Sequence, residues 1–94
     1  MTLDELKQEQ WYQDRPDIIK RAIDRLPPIQ FYKFKDSGKQ CHILSYEEPD
    51  SGNLDDVTVT VQKTGVGSMR GLEHINKNAV FGVYLDDLEP WVDP

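Results

Sequence analysis

Between Asp55-Asp56 and the glycines Gly65 and Gly67 the chain alternates apolar and polar residues, Val57-Thr58-Val59-Thr60-Val61. A period of two predicts a strand with one buried and one wet face, and β-branched residues suit such a pleated surface. The same period predicts strands over 30–35 and 40–46. The tetrapeptide Asp36-Ser37-Gly38-Lys39 between them is a tight turn, with glycine where a positive φ is needed. These two strands form a hairpin, and the Val57 strand pairs with the second of them. Val80-Phe81-Gly82-Val83-Tyr84 is the last clear strand. Residues 85–90 read as a 3₁₀ turn and Trp91-Val92 as a brief closing pair.

Upstream of residue 30 the period is helical. Ile18, Ile19, Ala22, Ile23 and Leu26 fall on one face, with Lys20, Arg21, Asp24 and Arg25 on the other. Pro16 suits the first turn of this helix and Asp17 its dipole, while Pro27-Pro28 ends it for lack of amide donors. An earlier start signal, Thr2-Leu3-Asp4-Glu5, has the spacing of a capping box and opens a short polar helix reaching residue 13. Leu3 and Leu6 of that helix face inward. Trp11, Tyr12 and Trp91 read first as packing between helices and sheet and, as the alternative, as anchors for a partner.

The expected fold class is therefore α+β: one N-terminal helix or two, packed on a small antiparallel sheet. Residues 1–28 are the helical segment and residues 29–94 the β part, together one globular domain. The core is expected from Ile18, Ala22, Ile23, Leu26, Tyr32, Phe34, Cys41, Ile43, Val57, Val59, Val61, Val83, Leu85 and Leu88. A chain of 94 residues holds one small domain, and an aromatic content of 10% supports a packed core.

Charge changes the picture. The net charge of −6 is unevenly placed: residues 15–39 carry seven bases against three acids, and residues 40–94 three bases against ten acids. An acidic protein is poorly suited to phosphate contacts, yet Arg15, Lys20, Arg21 and Arg25 form a local basic island that could make them. The same residues also serve as the solvated face any amphipathic helix requires, with Asp17 and Arg21 spaced for a surface pair. The single cysteine, Cys41, speaks for a reducing, cytoplasmic setting, and no apolar run has the length of a membrane span.

Candidate chemistry is sparse. Cys41 and His42 are neighbours, but adjacent strand residues point to opposite faces, which opposes a nucleophile–base pair. The two histidines and one cysteine have no recognisable metal-ligand spacing, and 50–56 lacks the register of a calcium loop. Gly65-Val66-Gly67-Ser68-Met69-Arg70-Gly71 departs from both the dinucleotide and the Walker fingerprints. No cofactor or metal is expected. The long connection 63–79 is instead a partner-binding loop, with Met69, Arg70, Leu72 and His74 as contacts.

In the strand-rich part, Val83-x-Leu85-x-x-Leu88-x-Pro90 follows the Val57 strand and its hairpin partners. This arrangement, over residues 29–92, resembles small SH3-like or Tudor-like β-barrels. The resemblance implies an SH3-like barrel that binds peptides, modified side chains or nucleic acids without doing chemistry. No aromatic cage carries over residue by residue onto Tyr32, Tyr46, Phe81 or Tyr84.

The first expectation is a non-enzymatic protein-interaction or accessory module with a protein partner. The alternative is a nucleic-acid-associated factor using the basic segment. A small hydrolase or transferase built on Cys41 or His74 ranks third. A monomer is expected, or a homodimer formed through an open sheet edge.

Overall fold

A computed structural model describes residues 1–64 and 79–92. The N-terminal segment is two short helices rather than one, α1 (Leu3–Lys7) and α2 (Gln10–Gln13). The Thr2 hydroxyl accepts a hydrogen bond from the Glu5 amide, so the anticipated cap opens α1. Helix α3 (Asp17–Arg25) buries Ile19, Ala22 and Ile23. Pro16 stands at its N-cap rather than in its first turn.

The strands are β1 (Tyr32–Phe34), β2 (Gln40–Glu47), β3 (Thr58–Lys63), β4 (Val80–Tyr84) and β5 (Leu88–Pro90). They form one antiparallel sheet in the order β4-β3-β2-β1-β5. β1 is shorter than the alternation over 30–35 predicts. The 3₁₀ turn covers only Leu85–Asp87, and the residues after it form β5.

Among the described residues the sheet is open: β4 and β5 are its ends, and no ladder joins them. The barrel expected from sequence is therefore reduced to a curled five-stranded sheet. Its curl follows from chain length. Opposite ends of a flat five-stranded sheet lie roughly 19 Å apart, at about 4.8 Å per strand. Only Leu85–Asp87 connect β4 to β5, and a turn that short spans on the order of 8 Å.

Register gives the inner face its composition. Val61 pairs with Phe81 and Val59 with Val83, while Tyr32 pairs with Cys41 and Phe34 with Leu88. In β2 the ladder skips from Ile43–Val61 to Ser45–Thr60, so Leu44 is the extra residue of a bulge. The bulge reverses the phase of the strand and turns Tyr46 inward, opposite Val59.

One core joins helices and sheet. It contains twelve of the fourteen anticipated residues, together with Leu6 and Ile19, while Ile18 and Val83 pack against it half-buried. Two tyrosines fasten the end of α3 to the sheet. The Tyr46 hydroxyl donates to the Leu26 carbonyl at 2.5 Å, and the Tyr32 hydroxyl to the Pro27 carbonyl at 2.6 Å. Helix ends leave carbonyls without intrahelical partners, and here Pro27 and Pro28 have no amide to offer them.

The β1–β2 turn closes with the Gly38 amide donating to the Phe34 carbonyl at 2.8 Å, and Gly38 has φ of 72°. Gly38→Ala is expected to cost about 1 kcal/mol or more in urea denaturation, because a Cβ strains that backbone. An unchanged midpoint would contradict this assignment of the turn.

Candidate interaction groove

Beside the β1–β2 turn, the curled inner face opens to solvent as a groove. Its two lobes, of about 260 and 290 Å3, share Phe34, Asp36 and Val83. The first lobe adds Ser37, Lys63, Phe81 and Gly82, and the second adds Lys35, Asp86 and Asp87. Phe34 comes from β1 and Phe81 from β4, strands separated by two others in the sheet order. Their ring centroids stand 6.2 Å apart, edge to face at 84°. Phe34 is buried, whereas Phe81 is 41% exposed.

Lys63 lies across both rings. It pairs with Cys41 in register, so its side chain leaves β3 on the inner, apolar face. The ammonium sits 4.8 Å from the Phe81 centroid and 5.7 Å from that of Phe34. No ion pair to Lys63 occurs among the described residues. The electron-rich ring faces attract the ammonium at these distances. At the other end, Asp86 bonds Arg25, and the Asp87 carboxylate accepts from the Tyr84 amide at 2.9 Å.

The groove continues into an edge strand. β4 contains no charge and no proline, and Val80, Phe81 and Tyr84 are all more than two-fifths exposed. The opposite edge, β5, is only three residues long and carries Glu89 and Pro90. Short edges bearing charge or proline resist pairing with other chains, and β4 lacks these protections.

The four residues anticipated as partner contacts, Met69, Arg70, Leu72 and His74, lie outside the described residues, as does most of the connection that bears them. The basic island is described, and most of it is engaged internally. The Arg15 guanidinium lies 5.6 Å from the Trp11 ring centroid and Lys20 lies 5.8 Å from that of Tyr12. Arg25 pairs with Asp86, and Arg21 is exposed. The spaced pair Asp17–Arg21 is not among the ion pairs of the described residues.

Cys41 and His42 separate as their strand positions require. Cys41 is fully buried, and burial pushes its thiol up to about 11, with Lys63 pulling in the opposite direction. Half-buried His42 faces the Gln62 carboxamide at 3.0 Å and approaches the Phe31 ring. Among the described residues no group of three or more His, Cys, Asp or Glu is gathered for a metal ion. No helix among them is long and apolar enough to cross a membrane.

Sequence reasoning placed Phe34 and Phe81 on strands but did not bring them together, and it overlooked Lys63. The signal was present: Lys63 continues the inward phase of Val57, Val59 and Val61, where an apolar residue is expected. Comparison with protein-family models, with curated proteins and with solved structures gave no match.

Proposed function

We propose that this chain is a non-catalytic protein-interaction module whose contact face is the Phe34–Phe81 groove and the adjoining β4 edge. The observation that carries this reading is a half-exposed aromatic side chain over a buried one, in a groove continuous with a strand that carries no charge or proline and is an edge among the described residues. Aromatic anchors in partly formed pockets are favoured at the energetic centres of interfaces. The strand order, with a 3₁₀ turn leading into the last strand, supports an SH3-like arrangement of the β part. Fold likeness alone assigns no function, so the groove and not the topology bears the argument.

The test is Phe81→Ser. The side chain is exposed enough for the fold to survive its loss, and the thermal midpoint should fall by only a few degrees. Capture of the protein partner held by the wild-type chain should weaken at least about tenfold, the scale of one aromatic hot spot. A variant that folds and captures as well as wild type would reject this face.

The nucleic-acid reading receives less support, because Arg15, Lys20 and Arg25 are each held by a neighbour. Nuclease treatment should therefore leave partner capture unchanged.

A further inference from the structure

We infer that the groove receives a lysine or arginine side chain from the partner protein, and that Lys63 holds that place in the free domain. This inference rests on the interaction reading above and specifies the chemistry of the partner.

Three features converge on it. The first is the resident cation: Lys63 places its ammonium within 6 Å of both ring centroids, the range in which ring faces attract cations. The groove therefore already performs, on a side chain of its own, the recognition it would perform on a partner. The second is the lack of a described carboxylate partner for Lys63. Among the described residues the ammonium is met by ring faces and not by a carboxylate, and a half-exposed ammonium in that setting is displaced at small cost, since water receives it readily. The third is charge complementarity. Asp36, Asp86 and Asp87 line the groove, and against them stand Lys35 and Lys63. Asp86 is already paired with Arg25, so once Lys63 swings out the lining carries two further carboxylates, Asp36 and Asp87, against the Lys35 ammonium. The net charge of −6 attracts a basic segment over a longer range.

Two consequences follow. Lys63 competes with the incoming side chain, so a neutral residue of similar length should strengthen binding. Phe81 recognises the cation without carrying charge, so its loss should weaken binding while leaving the overall field unchanged.

The experiment titrates the whole 94-residue chain with tetralysine, tetra-arginine and tetraglutamate peptides, following all backbone amides and the ring resonances of Phe34 and, where present, Phe81 by NMR. Wild type, Lys63→Met, Phe81→Leu and Lys20→Met are compared. Lys20→Met removes the same charge from α3, outside the groove lining. The expected result is that the basic peptides shift both rings and tetraglutamate does not. Lys63→Met should then bind at least about threefold tighter than Lys20→Met, and Phe81→Leu several-fold weaker than wild type, within the range of a surface cation–π contact.

Equal affinities for Lys63→Met and Lys20→Met would overturn the competitor role. Shifts spread over the acidic surface, with Phe81→Leu unchanged, would reduce the effect to general charge attraction and overturn the inference. If Phe81 is still required for protein capture in either case, the interaction reading stands and only the partner's chemistry is wrong. If Phe81 is dispensable for capture, the reading beneath the inference fails.

Discussion

The double variant Tyr32→Phe, Tyr46→Phe is expected to lose roughly 2–5 kcal/mol of stability, a large share of the 5–15 kcal/mol that holds a typical domain. The change keeps both rings and removes two oxygen atoms, so apolar packing hardly alters. It leaves the carbonyls of Leu26 and Pro27 without the hydroxyls that now donate to them at 2.5 and 2.6 Å. A partly buried acceptor stripped of its donor costs about 1–3 kcal/mol, more than the net worth of an average hydrogen bond. Pro27 and Pro28 lack the amide by which an ordinary chain could bond back to the helix end. These hydroxyls also tie α3 to β1 and β2, so amide exchange in α3 should accelerate more than exchange in β3. Urea denaturation reads the total, and a combined loss under about 1 kcal/mol would show that water replaces the tyrosines.

Raising the pH is expected to destabilise the fold steeply from about pH 10 upward, with an earlier onset near pH 9 from Cys41. Burial pushes Tyr32 up from 10.0 to about 12 and Cys41 up from 9.0 to about 11. Burial, reinforced by the neighbouring Tyr32, also raises Tyr46 above its ordinary value. All three groups are neutral when protonated, so the apolar interior favours the proton and the unfolded chain releases it at lower pH. Below pH 9 both states hold these protons and stability is independent of them. Between the ordinary and the raised values the unfolded state binds fewer protons, and stability falls at about 1.4 kcal/mol per pH unit for each group. Urea midpoints measured from pH 8 to 12 should be level at first, dip slightly from 9 to 10 and then drop. Cys41→Ala should remove the dip between 9 and 10 while keeping the later drop. Midpoints level to pH 11 would contradict the burial of the tyrosine hydroxyls.

Much of the fold was legible because its periods are local. The face of α3, the inward phase of Tyr32 and Phe34, and the alternation of β3 each follow from neighbouring residues. The capped start at Thr2 and the glycine turn at Gly38 are equally local signals. The break between α1 and α2 left little trace, since Glu9 caps α2 without a side-chain hydrogen bond. The bulge at Leu44 was hidden, because the run from Cys41 to Tyr46 reads as one strand until Tyr46 must face inward. The curl of the sheet was less accessible still. It arises from a three-residue connection between two strands at opposite ends, a relation between distant elements.

The groove inherits that difficulty. Phe34 and Phe81 lie far apart in sequence, and only the curl brings their rings within 6.2 Å. The sequence directed attention to Met69, Arg70, Leu72 and His74, by loop length and glycine content. The groove sits at the root of that same connection, where the Lys63 amide donates to the Ala79 carbonyl at 2.9 Å. Its aromatic contacts come from the strands.

The central claim is that partners dock on the Phe34–Phe81 groove. The most direct test places a photoreactive benzophenone side chain at Phe81 or, as a control, at Leu44, which is 49% exposed and does not line the groove. Irradiation in extracts of cells that make the protein, followed by mass spectrometry of the adducts, locates the contact. A discrete protein adduct at position 81, absent at 44 and carrying a lysine or arginine beside the crosslinked site, is the expected result. Equal adducts at both positions, or adducts at 44 alone, would contradict the assignment of the groove as the contact face.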